Sequence, residues 1–63
     1  MTLKGLRANV NMTQDAVAKY LGISRQSWRN KEKGLNKLTF EEGFKLSDLF
    51  KVSIEDIYQA SRT

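Results

Sequence analysis

Residues 13–34, TQDAVAKYLGISRQSWRNKEKG, constrain the fold more than any other stretch of the chain. Thr13 offers an N-cap hydroxyl and Asp15 a first-turn acid, both of which favour a helix start. Val17, Ala18 and Leu21 follow at a spacing that puts them on one helical face. Gly22 ends the helix, because the left-handed conformation that stops a helix is cheap only for glycine. Ile23 is expected to be a buried plug. Ser24 caps a second helix that runs from Arg25 to about residue 33, where Gly34 stops it. Two helices joined by three residues must cross closely. The crossing needs a small residue on the first helix and a left-handed residue in the turn. It also needs apolar residues just after the turn and inside the second helix. Ala18, Gly22, Ile23 and Trp28 supply all four together.

The flanking sequence predicts an all-α chain, since proline is absent and no stretch alternates for long. The first helix starts with Thr2 as its cap and runs to about residue 9. Leu3, Leu6 and Val10 form its apolar face, Gly5 weakens it, and Asn11 terminates it. Thr39 and Glu42 have the spacing of a capping box that opens a fourth helix. That helix is expected to turn Phe40, Phe44, Leu46 and Phe50 mostly toward the core. Gly43, in its middle, suggests close approach of another backbone. Ser53 caps a fifth helix from Ile54 to about residue 58, and residues 59–63 are expected to fray. The prediction is one compact five-helix domain over residues 1–63.

Composition narrows the function. A chain of 63 residues buries only about 60% of the surface its unfolded form exposes, so its core is thin. It holds neither Cys nor His, which removes disulfides and any ordinary zinc site, and no metal or other cofactor is expected. No apolar run approaches the roughly 20 residues of a membrane span, and the N-terminus lacks a signal-peptide core. A soluble cytoplasmic protein is expected. An enzyme is not, because there is no phosphate-cradling glycine loop and no convergent pair of acids. Charge is divided unevenly. Residues 1–37 carry eight basic residues against Asp15 and Glu32, while residues 38–63 carry three against five acids. A basic half and a mildly acidic half suit a chain that faces a polyanion on one side.

The string Leu6-Arg7, Thr13-Gln14, Val17-Ala18, Leu21-Gly22-Ile23-Ser24, Ser27-Trp28, Glu32 and Gly34 resembles the Cro/lambda-repressor-like helix-turn-helix family. The likeness continues through Thr39-Phe40 to Val52-Ser53-Ile54-Glu55-Asp56-Ile57-Tyr58 and covers nearly the whole chain. It implies a five-helix domain of a small bacterial or phage transcription regulator, working as a dimer on double-stranded DNA.

The residues themselves agree. With Trp28 pointing inward, Arg25, Gln26, Arg29, Asn30 and Lys33 share the outer face of the third helix, and no carboxylate lies among them. The N-terminal part of such a helix meets base edges. Arginine suits guanine O6 and N7, and glutamine suits adenine N6 and N7. Arg25, Gln26 and Arg29 are therefore the expected base readers, with Asn30 and Lys33 toward the DNA backbone. Asn36 and Lys37, just past the helix, are expected on phosphates too. Lys4 and Lys19 serve either the backbone or solubility. The resemblance adds Gln14 as a phosphate clamp and Arg7 as the ion-pair partner of Glu32. An acid at that end of a helix needs such a partner, since it opposes the helix dipole.

Lys31 departs from the family pattern, which usually has an apolar residue there. A lysine at that place is expected to snorkel outward along its stem. Either Trp28 then fills the space alone, or the inner side of the third helix is open. A homodimer would use the fifth helix, with Ile54, Ile57 and Tyr58 either in the interface or closing the core. The alternative function is a protein-interaction regulator that binds another repressor and modulates it.

Overall fold

The computed structural model describes residues 1–62. Its five helices are α1 (Leu3–Asn9), α2 (Gln14–Leu21), α3 (Arg25–Glu32), α4 (Phe40–Phe50) and α5 (Ile54–Ala60), and the described residues form no strand. Every helix begins on a Ser or Thr hydroxyl. Thr2 accepts from the Gly5 N–H at 2.9 Å, Thr13 from Ala16 at 3.0 Å, Ser24 from Ser27 at 3.0 Å and Ser53 from Asp56 at 3.1 Å. Thr39 accepts from the Glu42 N–H at 3.1 Å while Glu42 Oε1 accepts from the Thr39 N–H at 2.9 Å, completing the capping box. These caps satisfy donors that a helix cannot satisfy internally, and they fix where each short helix starts.

Four helices end on left-handed residues or just before them. Gly22 has φ 76°, Gly34 φ 79° and Asn11 φ 58°, as the sequence suggests. Lys51, with φ 60°, ends α4 in the same way although it is not a glycine.

α2 packs on α3, α4 packs on α5, and α1 lies against α4. One core results, built from Leu3, Leu6, Val17, Ala18, Leu21, Trp28, Leu38, Leu46, Phe50, Ile57 and Ala60. Trp28 is its largest fully buried side chain.

The structure corrects four expectations of the fold and decides between two for α5. Phe40 and Phe44 do not face the core, for they are 78% and 60% exposed. At 3.6 residues per turn, Phe44 and Leu46 lie about 200° apart around the helix, so only one can point inward. Leu46 and Phe50, four residues apart, take the core and leave Phe40 and Phe44 as a second, outer stripe. Ile23 is half-buried rather than a plug, lying at the edge of the core. Gly43 makes room for a side chain and not a backbone: a Cβ there would lie 2.9 Å from the Tyr58 hydroxyl oxygen. Ile57 is fully buried and closes the core, one of the two roles expected of it, while Ile54 and Tyr58 are half-buried. Finally, α5 extends through the buried Ala60, so residues 59 and 60 do not fray. Thr63, placed in the same fraying segment, lies outside the described residues.

Candidate nucleic-acid interface

The outer face of α3 is held from below by a single carboxylate. Arg7 Nε donates to Glu32 Oε2 at 2.6 Å, and Trp28 Nε1 donates to the same oxygen at 2.8 Å. Gln14 Nε2 donates to Glu32 Oε1 at 2.9 Å. Donors from α1, α2 and α3 thus converge on one residue near the end of α3. The Arg7 and Glu32 side chains are only 14% and 6% exposed. Arg7 also donates through Nη1 to the Met12 carbonyl at 3.0 Å, which ties in the link between α1 and α2. A charged pair so far from water persists only when its remaining hydrogen-bonding capacity is met, as it is here. Gln14 gives one of its two amide N–H donors to Glu32 and keeps the other, and it also presents its own backbone N–H at the start of α2, beside the helix dipole.

Lys31 does not snorkel outward. Its side chain is 11% exposed and its Nζ lies 3.2 Å from Glu42 Oε1, whose side chain is 12% exposed. Nζ also donates to the Lys37 carbonyl at 3.1 Å. The inner side of α3 is therefore closed by an ion pair to the capping box of α4, and the intervening loop is pinned at Lys37. Lys31→Met would leave Glu42 with only the Thr39 N–H, and is expected to destabilise the fold by about 1–3 kcal/mol. Adding Glu42→Gln keeps the capping box and removes the orphaned charge, so most of the loss should return. Urea midpoints of the single and double variants check this. An unchanged midpoint for Lys31→Met would show that the tie contributes nothing.

Above this scaffold, Arg25, Gln26 and Lys33 are exposed and Arg29 and Asn30 half-buried. Gln26 Nε2 donates to Asn30 Oδ1 at 3.0 Å, one turn along, which holds both amides on the outer face. Asn36 and Lys37 are exposed in the loop that Lys31 pins. Of the basic residues in the first half of the chain, Lys31 and Arg7 are spent on interior pairs and Lys19 meets Asp15 at 3.8 Å. Arg25, Arg29, Lys33, Lys37 and Lys4 form no ion pair among the described residues. The uncompensated charge is thus concentrated on α3 and beside it.

The sequence allows Lys4 two roles, at the DNA backbone or in solubility. The structure places it in a cleft with Gln14, Arg29, Glu32 and Lys33, where α1, α2 and α3 meet. The signal was present in the sequence. Lys4 lies one turn before Arg7, on the side of α1 that reaches α3.

No group of acidic residues among the described residues is placed to hold a metal ion, and no described helix is long and apolar enough to cross a membrane. Residues 3–57 match the family model described as helix-turn-helix. The chain is 45% identical over 56 residues to an uncharacterised helix-turn-helix-type transcriptional regulator of Methanocaldococcus jannaschii, covering 89% of this chain and 85% of that protein. It is 36% identical over 56 residues to another from Archaeoglobus fulgidus, covering 89% and 79%. Both relatives are archaeal, so the likeness gives no support to a phage origin. No solved structure matches. With α2 and α3 crossing at Gly22, Glu32 locking them to α1, and a family match over 3–57, the chain belongs to the Cro/lambda-repressor-like helix-turn-helix family of DNA-binding transcription regulators.

Proposed function

We propose that this protein binds duplex DNA in a sequence-specific manner, as a homodimer on an inverted repeat, with α3 in the major groove. The observation that carries the proposal is the outer face of α3: exposed, basic, free of carboxylates, and fixed from beneath by Glu32 and Lys31. Arg25 and Gln26, at the N-terminal end of α3, are placed for base edges, with Arg29 next. Asn30, Lys33, Asn36 and Lys37, the backbone N–H of Gln14, and Lys4 in the adjoining cleft face phosphates. Two copies about 34 Å apart, one helical turn of DNA, would read the two half-sites. The protein acts in the cytoplasm, where its DNA is.

Selection of bound sequences from a random duplex pool tests this. The unmodified chain is expected to enrich one motif. Each good bidentate base contact contributes about 1–3 kcal/mol of discrimination, so Arg25→Ala/Gln26→Ala should lose the preference at the positions those residues read. Lys33→Ala should weaken binding to all sequences alike. Enrichment of the same motif, to the same degree, by the unmodified and doubly substituted proteins would remove Arg25 and Gln26 from the reading role.

The alternative of a regulator that acts on another repressor rests on two features, the acidic balance of residues 38–63 and Lys31 as a sign of an open or misaligned α3. Lys31 lies inside the fold and closes that space, so α3 keeps the support that groove insertion requires.

A further inference from the structure

Phe40 and Phe44 are the most exposed aromatic residues of the chain and lie one turn apart on α4. Tyr58 meets Phe40 edge-on, with ring centroids 6.3 Å apart and planes at 74°. Leu38, Thr39, Phe40 and Tyr58 together line an open groove. None of the residues assigned to bases or phosphates belongs to this aromatic stripe. Apart from the Phe40 contact with Tyr58, the two rings are left to solvent, and clustered exposed apolar surface marks an interaction site.

The charges around the stripe identify the occupant. Glu41 and Lys45 flank Phe44, with side chains 80% and 41% exposed and Nζ 3.8 Å from Oε2. Consider two α4 helices packed antiparallel about a two-fold axis, with Phe40 of each against the partner's Phe44. That register also brings Glu41 beside the partner's Lys45. Symmetry repeats each contact. The Glu41–Lys45 contact joins opposite signs at both ends of the seam, so the face is complementary to itself.

We propose that two copies of this chain pair through the Phe40–Phe44 face of α4, antiparallel, with Glu41 and Lys45 setting the register. The proposal rests on the dimeric DNA-binding reading and names its surface, in place of the α5 surface that the sequence suggested. Four phenylalanine rings with the Tyr58 groove make the apolar centre of a small interface. A standard interface buries about 800 Å² on each partner, so a weak, concentration-dependent dimer is expected.

Sedimentation velocity over a concentration series tests the proposal directly. Phe44→Asp, an exposed substitution that circular dichroism should show to be folded, is expected to sediment as a monomer throughout. Lys45→Glu and Glu41→Lys each place like charges across the seam twice. Each should dimerise about five- to tenfold more weakly than the unmodified chain. Mixed in equal amounts, the two variants regain opposite charges at both contacts and should pair at least as well as the unmodified protein. A merely local effect within α4 would not be repaired by mixing. Failure of the mixture to recover, or pairing by Phe44→Asp as strong as the parent's, overturns the interface. A chain that stays monomeric at every concentration overturns it too, and leaves the aromatic face to a different protein. The DNA reading is judged separately, on the motif enriched in the selection experiment. Phe44→Asp should hold one half-site as the unmodified chain does but lose the advantage of the inverted repeat. An unmodified chain that dimerises yet enriches no motif sinks the DNA reading and leaves the surface standing.

Discussion

Glu32→Ala is expected to destabilise the fold by about 3–5 kcal/mol, the usual result of removing one partner of a buried charged pair. Three donors would lose their acceptor together: Arg7 Nε, Trp28 Nε1 and Gln14 Nε2. Arg7 would keep only the Met12 carbonyl. Domains are typically stable by 5–15 kcal/mol, and one this small belongs near the lower end. The variant should therefore be largely unfolded at 37 °C, which a thermal melt followed by circular dichroism reads directly. A double-mutant cycle with Arg7→Ala separates the pair from the other two bonds. If Glu32→Ala melts where the parent does, the carboxylate is not the point at which the three helices are joined.

Trp28→Ala should have an effect of similar size for a different reason. Trp28 is fully buried and the largest side chain in the core, and aromatic-to-alanine changes in cores cost about 3–5 kcal/mol. Its removal opens a cavity under α3 and also takes a donor from Glu32. Trp28→Phe separates these effects. It keeps most of the ring volume and loses the N–H, with about 1 kcal/mol expected for the bond. Because Trp28 and Glu32 touch, the double substitution to alanine should lose less than the two singles predict together. Urea midpoints of the three variants check the ordering. A Trp28→Ala midpoint close to the parent's would mean that the side chain is not filling the core.

The parts of this architecture that depend on neighbours in sequence were legible. A cap needs only a hydroxyl just ahead of a helical apolar pattern and the N–H three residues on, so Thr2, Thr13, Ser24, Thr39 and Ser53 mark all five helix starts. The turn at Gly22 was equally local. The Arg7–Glu32 pair spans 25 residues. It was foreseeable because an acid at that end of α3 needs a partner and the family places one there. What escaped depends on which of two faces wins. α4 carries two apolar stripes, Phe40–Phe44 and Leu46–Phe50, and hydrophobicity alone does not say which is buried. Lys31 and Glu42 each look out of place alone, a lysine under α3 and an acid on the inner side of α4. Their opposite signs become an explanation only when the two helices are brought together. The Tyr58 ring over Gly43 and the commitment of Gln14 to Glu32 are side-chain choices of the same three-dimensional kind.

The burial of the two structural ion pairs separates the response of the fold to ionic strength from that of the proposed DNA contacts. At 1 M salt the screening length falls to about 3 Å, and exposed charges cease to feel one another. The Lys19–Asp15 and Lys45–Glu41 pairs are of that exposed kind. Arg7–Glu32 and Lys31–Glu42 are not, with side chains between 6% and 14% exposed, and buried pairs are screened far less. Phosphate contacts behave in the opposite way, each one neutralised steepening the fall of log affinity against log salt by about 0.9. If the proposed contacts hold, concentrated salt strips nucleic acid from Arg25, Arg29, Lys33 and Lys37 while α1, α3 and α4 remain locked together.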